Sequence, residues 1–148
     1  MTLKTSGQYS ESKAFDAFLK TTLSDAIETV DVSSVNIDSI ILLDTRSKEE
    51  FEVSHLKNAI WVGYDNFNLK RVKNLSKNAK IVVYCSVGVR SGKVGKKLLD
   101  ADFKNVKNLY GGIFEWYNRG LPVYNEKGET DDLHTYNFIW SLWVNKRN

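Results

Sequence analysis

The chain has 148 residues, 42% hydrophobic and 26% charged, an ordinary globular mixture that excludes a disordered or fibrous class. At this length one compact domain hides roughly two thirds of its unfolded surface on folding, so a real core needs no staples. Lys and Arg number 21 against 18 Asp and Glu, scattered without a long run, which argues against a nucleic-acid partner while mildly favouring small anions.

Cys85 is the one cysteine, so an intramolecular disulfide is excluded by counting. The opening residues lack the apolar stretch of a signal peptide, and no run of about 18 apolar residues is present to span a bilayer. The expectation is a soluble, cytoplasmic chain with no membrane partner.

In chain order, Ala14, Phe15, Phe18, Leu19 and Leu23 fall at helical spacing and predict an amphipathic helix over residues 13–23, capped by Ser10 or Ser12. Short apolar runs at residues 40–43, 59–62 and 81–84, with a weaker fourth at 106–109, read as strands buried on both faces. Helical segments are expected between them, over residues 48–53, 67–75, 91–101 and 113–118. Such alternation predicts an α/β fold with a mostly parallel central sheet and helices on both faces.

Pro122, the one proline, sits just before the expected end of the fold near Tyr124. Residues 1–124 then form the domain with its extra N-terminal helix, and 125–148 an aromatic-rich extension. Within it, 125–132 read as a polar connector. Tyr136, Phe138, Ile139, Trp140, Leu142, Trp143 and Val144 are too apolar to be left in water. Packing on the same domain is expected ahead of a dimer interface, giving a monomer or weak dimer.

Functional groups in open parallel sheets gather beyond the carboxyl ends of the strands, and Cys85 stands at such an end. The stretch Tyr84-Cys85-Ser86-Val87-Gly88-Val89-Arg90-Ser91 is a strand, a short loop with a central glycine and a helix start. Gly88 can take positive φ freely, which turns successive N–H groups toward one point, and the helix adds its own donors and dipole. Ser86, Val87, Gly88, Val89, Arg90 and Ser91 are therefore the candidate substrate-binding residues, and Cys85 the candidate nucleophile, held as thiolate by the loop donors and Arg90. A free cysteine also packs as a small apolar residue; the glycine, the arginine and the helix start favour the reactive reading.

These residues resemble the rhodanese family over about residues 40–123. The family's Asp-x-Arg is similar to Asp44-Thr45-Arg46, its Glu-aromatic pair to Glu50-Phe51, and its Gly-His-Ile-Pro-Gly-Ala to residues 54–59 around His55. Its Cys-x-x-Gly-x-Arg-Ser matches Cys85, Gly88, Arg90 and Ser91. Its Gly-Gly, Trp and Gly-x-Pro-Val resemble Gly111, Gly112, Trp116, Gly120, Pro122 and Val123. Ser54, Lys57 and Asn58 depart from the family's Gly, Pro and Gly, and Asp102 stands where glycine is common; Asp tolerates the left-handed geometry a helix stop needs.

The resemblance implies a cysteine that accepts sulfane sulfur, with no metal and no organic cofactor. Sulfur would pass from a small anionic donor such as thiosulfate, through a Cys85 persulfide, to cyanide or a thiol, free or on a protein. Asp44, Arg46 and His55 are supporting residues, the first two as an ion pair or turn cap. Trp116 is expected in the core, and His134 has too few neighbours of the right type for a metal site. A phosphatase places five residues between its cysteine and arginine; Cys85 and Arg90 have four, and no acid stands between them. The alternative outside enzymology is a non-catalytic, partner-binding rhodanese-like module.

Overall fold

The computed structural model of the protein describes residues 12–145 and 147; Ser10 lies outside them. Helix α1 (Lys13–Thr22) is capped by Ser12, whose Oγ accepts the Phe15 N–H at 3.3 Å, a contact of the kind that contributes about 1 kcal/mol. Phe15 and Leu19, one turn apart, form its buried stripe, while Leu23 has already left the helix as its C-cap.

Five strands make a fully parallel sheet in the spatial order β1 (Thr29–Val30), β5 (Asn105–Leu109), β4 (Lys80–Tyr84), β2 (Ile41–Asp44) and β3 (Ile60–Trp61). On the central strand, Ile81 and Val83 pack with Val94 and Leu98 of α3 (Val89–Asp100). Val82 and Tyr84 pack on the other face, with Phe15 and Leu19 of α1 and Ile113 and Phe114 of α4 (Gly112–Asn118). Both faces of the sheet's centre are thus buried under helices, which is why β2 and β4 read as unbroken apolar runs. The expectation of burial on both faces fails at β5, where Asn105 and Lys107 are exposed, and at edge strand β3, where Ile60 is 43% exposed. Gly95 lets α3 lie close to the sheet, since a Cβ there would run into Ile27 and come within 3.3 Å of Val83. After α3, Asp102 takes φ 70°, the left-handed stop anticipated for it.

Helix α2 (Lys48–Val53) has the expected bounds. Residues 67–75 differ: in place of a helix there is a 3-10 turn at Leu69–Val72. Asn68 caps it through the Lys70 N–H at 3.0 Å. Val72 alone within that turn is buried, while Leu69 is 46% exposed, so no apolar stripe rewards further turns.

Strand β1 was not legible, because two residues carry no periodicity; it exists through its pairing with β5, extended by bonds from Asn108 N to Glu28 O and Tyr110 N to Val30 O. The expected polar connector is also different. Strands β6 (Val123–Asn125) and β7 (Gly128–Thr130) form an antiparallel hairpin. Asn125 Oδ1 accepts the Lys127 N–H at 2.9 Å and Gly128 takes φ 118°, turn chemistry that a reading by polarity overlooks.

Beyond the hairpin, α5 (Phe138–Ser141) and the turn after it bring Trp140 and Trp143 against α1. The Trp143 ring lies 5.3 Å from Phe15 and 5.0 Å from Phe18, and Trp140 meets Phe18 edge-on at 5.8 Å. Asn118 donates to Trp143 O and accepts from Asn145 N, while Arg147 donates to the Tyr117 and Leu121 carbonyls. Among the described residues, no helix is long and apolar enough to cross a membrane.

Candidate active site

Cys85 leaves the carboxyl end of β4, and α3 begins at Val89. The connecting loop is therefore Ser86, Val87 and Gly88, tighter than expected, with Arg90 and Ser91 inside the helix's first turn. Gly88 is the N-cap at φ 125° and has no side-chain cap to offer, a backbone state that L side chains avoid. Its N–H points at Cys85 Sγ at 3.1 Å. Among the described residues it is the backbone donor of the 86–91 stretch that bonds the sulfur. The first-turn N–H groups of α3 have no side-chain cap, so they and the helix dipole favour negative charge at this end.

Ser91 Oγ is 3.4 Å from Sγ and 2.6 Å from Asn108 Oδ1. A hydroxyl has one proton to give, so it either donates to Asn108 and accepts from a thiol, or turns to donate to a thiolate. Asn108, on β5, also donates from Nδ2 to Gly88 O at 2.9 Å. One buried amide therefore holds both the glycine cap and the serine.

From the other side, α4 holds the loop's carbonyls: Ile113 N–H donates to Cys85 O at 3.0 Å and Phe114 N–H to Ser86 O at 3.1 Å. In a planar trans peptide N–H and C=O point oppositely, so the amides of Ser86 and Val87 are turned away from α4. Gly112 makes this approach possible. It takes φ 58°, and a Cβ on it would sit 2.5 Å from the carbonyl oxygens of both Cys85 and Ser86.

Glu50 comes from α2, where it completes a reciprocal cap with Ser47. Its oxygens receive Arg90 Nη1 at 2.8 Å and Nη2 at 3.1 Å, and the Ser86 hydroxyl at 3.1 Å. Burial pushes the Glu50 carboxyl up, but the hydrogen bonds and charge of Arg90, with Arg46 behind, outweigh it and hold it at about 2. Burial acts to lower Arg90, and Glu50 raises it above its ordinary value. Arg90 thus serves as a strut between α2, the loop and α3 as well as lining the cavity.

Asp44 and Arg46 form a fully buried pair, Nη2 to Oδ2 at 2.7 Å, with Arg46 also donating to Ser54 O at 2.6 Å. Burial acts to lower Arg46 and the charge of Asp44 raises it beyond its ordinary range. Burial and the charge of Asp44 likewise push the Tyr84 hydroxyl well up. The pair stands behind the loop and does not line the cavity. His55 is not brought there either. It stacks on Phe51 at 4.1 Å, Nδ1 lies 2.8 Å from Leu56 O, and its backbone pairs with Tyr124.

Cys85 is 1% exposed and lies on the wall of a cavity of about 770 Å³ together with Ser86, Val87, Val89 and Arg90. The remaining walls include Lys48, Trp61, Tyr64, Tyr136 and Trp140.

Residues 21–119 match the model of the rhodanese-like domain. The chain belongs to the rhodanese-like domain family. It is 35% identical over 109 residues to the adenylyltransferase and sulfurtransferase UBA4 of Meyerozyma guilliermondii, covering 66% of this chain and 26% of that protein. It is 38% identical over 92 residues to the tRNA uridine(34) hydroxylase of Photorhabdus laumondii, covering 56% of this chain and 26% of the relative. Among solved structures, a rhodanese-related protein from Thermoplasma volcanium superposes with TM-score 0.61 at 26% identity, covering 68% of this chain and all of that one. The rhodanese-like chain spans about a quarter to a third of the length of the curated relatives it matches.

Several groups around the cysteine of this rhodanese-like domain were missed from the sequence. Glu50 was noted as half of a motif, though Ser47 and Glu50 at capping-box spacing were a further signal. Asn108, Trp61 and Tyr64 gave no local signal, and Tyr136 and Trp140 were noted only as parts of an apolar tail; tertiary structure brings Asn108 to Ser91 and Gly88 and the four aromatics to the cavity that Cys85 lines. Trp116 is buried and donates to Pro122 O at 2.9 Å, the core position expected for it. Among the described residues, no group of three His, Cys, Asp or Glu side chains is placed to hold a metal ion.

Proposed function

We propose that this rhodanese-like domain is a sulfurtransferase that carries sulfane sulfur on Cys85 from a small anionic donor such as thiosulfate to a thiol or cyanide acceptor. The observation that carries the reading is Cys85 Sγ at a cavity wall, 3.1 Å from the Gly88 N–H, where α3 begins without a side-chain cap. A nucleophile in a preorganised set of donors is where stabilisation of a developing sulfur anion is largest. The word sulfurtransferase in the name of the Meyerozyma guilliermondii relative supports the same chemistry.

In the first half, Cys85 thiolate attacks the outer sulfur of thiosulfate; the new S–S bond forms as the bond to the central sulfur breaks, and sulfite leaves with the electron pair. In the second half, an acceptor thiolate attacks the outer persulfide sulfur, and the electron pair of the broken S–S bond returns to Cys85. The halves balance without an external oxidant or reductant, and each is an easier step than direct transfer. Gly88 N–H and the Ser91 hydroxyl hold Sγ, the first-turn amides of α3 favour the terminal sulfur, and Arg90, braced by Glu50, keeps the loop in place.

The test is mass spectrometry after incubation with thiosulfate, with a gain of one sulfur atom expected on the peptide containing Cys85. Cys85→Ser should show no gain while keeping its circular dichroism spectrum. A chain that keeps Cys85 unmodified across thiosulfate, mercaptopyruvate and protein persulfides is instead the non-catalytic partner-binding module.

A further inference from the structure

The cavity beside Cys85 is far larger than an anion of sulfate size requires. Its volume, about 770 Å³, falls in the range of about 300–1,000 Å³ typical of sites that enclose organic ligands. Four aromatic side chains, Trp61, Tyr64, Tyr136 and Trp140, contribute to its walls. Trp61 is anchored by its indole N–H to Arg46 O at 2.8 Å and is flanked by two cations, Lys48 Nζ at 4.8 Å and the Arg71 guanidinium at 4.7 Å from the ring centroid. Trp140 is set edge-on against Phe18. Tyr136 is 59% exposed, yet the Arg90 guanidinium lies 5.4 Å from its ring centroid, so its position is coupled to the loop that holds the cysteine.

Two of these walls come from outside the family match, which ends at residue 119. Tyr136 and Trp140 belong to the C-terminal segment, which α1 and α4 hold through Phe18 and Asn118. The general rhodanese-like scaffold thus supplies the cysteine loop, and the added segment supplies an aromatic wall facing the space a substrate must cross. Aromatic side chains that line a cavity bind another ring by offset stacking or edge-to-face contact.

We propose that the acceptor is an organic thiol bearing an aromatic ring, and that Tyr136 and Trp140 determine this specificity. The inference rests on the sulfurtransferase reading and concerns its second half: the acceptor's thiolate attacks the outer sulfur of the Cys85 persulfide, its S–S bond forms, the Cys85 S–S bond breaks, and the electron pair returns to Sγ. The ring of the acceptor occupies the aromatic end of the cavity during that attack.

The experiment uses the full chain, loaded at Cys85 with thiosulfate or inorganic polysulfide, with loading verified by mass. Loss of the outer sulfur is then timed against 2-mercaptopropionate and against 2-mercapto-3-phenylpropionate, which differ by a phenyl group and share thiol and carboxylate. The phenyl compound is expected to react with a second-order rate constant at least about tenfold higher, the worth of burying one ring. In Tyr136→Ala, whose largely exposed side chain leaves the core intact, and in Tyr136→Ala combined with Trp140→Ala, the ratio should fall progressively toward one. A ratio near one in the unaltered protein, or a high ratio that survives Tyr136→Ala, overturns this inference and leaves the sulfurtransferase reading standing. Failure of Cys85 to load at all overturns both.

Discussion

Glu50 and Arg90 meet in a two-point ion pair, Nη1 to Oε1 at 2.8 Å and Nη2 to Oε2 at 3.1 Å, with Glu50 1% and Arg90 22% exposed at the side chain. The pair spans 40 positions of sequence and joins α2 to the first turn of the helix that follows Cys85. Its shape matters as much as its charge, because a planar guanidinium bound at two points fixes the orientation of the turn it belongs to.

Replacing Glu50 with Gln should lower stability near neutral pH by about 3 kcal/mol, the equivalent of a carboxyl held at about 2 against an ordinary 4.5. The folded-state value is the depressed one, so the contribution is fully present above pH 4.5 and is lost as pH falls toward 2. Urea unfolding of both proteins between pH 7 and pH 2 checks the sign. The gap between them should narrow steadily below pH 4.5, and a gap that widens there contradicts the assignment.

Gly112→Ala and Gly120→Ala separate backbone strain from close approach. Both glycines have positive φ, 58° and 77°, but a Cβ at Gly120 meets nothing within 4 Å, whereas one at Gly112 meets the Cys85 and Ser86 carbonyl oxygens at 2.5 Å. Gly120→Ala should cost about 1 kcal/mol. Gly112→Ala should cost about 3 kcal/mol and also slow sulfur uptake, because the loop must move to make room. Thermal unfolding alongside Cys85 persulfidation kinetics reads both effects.

Ser91→Ala removes the hydroxyl 3.4 Å from Sγ and should slow sulfur uptake by about tenfold, the worth of one hydrogen bond to a charged group. Asn108→Ala should slow it further, since Asn108 holds both the Ser91 hydroxyl and the Gly88 carbonyl. Stopped-flow rates of persulfide formation test the order; an Asn108 variant faster than the Ser91 variant would show that the amide does not organise the site.

Trp143→Ala strips the ring that lies 5.3 Å from Phe15 and 5.0 Å from Phe18. A half-buried tryptophan packed on two aromatics should cost about 2 kcal/mol when truncated. Denaturant unfolding measures this directly, and an unchanged midpoint would mean that the C-terminal segment adds nothing to the stability of the domain.

Much of the architecture was legible because its signals are local. The apolar runs of β2 and β4, and the helical spacing of Phe15, Phe18 and Leu19, each lie within a few residues of chain, and burial on both sheet faces imprints those runs directly. Strand β1 escaped because it is two residues held by a neighbour. The hairpin of β6 and β7 escaped because its signal is turn chemistry at Asn125 and Gly128 within polar surroundings. The segment around Leu69 looked helical from propensity, yet one buried residue cannot hold a helix against solvent.

Cys85, Gly88, Arg90 and Ser91 stand within seven consecutive residues, so the sequence by itself determined the strand-end cysteine, the glycine turn and the helix start. What braces and walls them was decided in three dimensions: Glu50 from α2, Asn108 from β5, Gly112 from α4, Trp61 from β3, and Tyr136 with Trp140 from the C-terminal segment. His55 shows the converse, a supporting residue expected from its motif that the fold stacks on Phe51 and leaves off the cavity wall. The physical reason is that backbone conformation over a few residues follows from local sterics and hydrogen bonding. Which distant side chains share a cavity depends instead on how β5, α2 and the C-terminal segment pack around the end of β4.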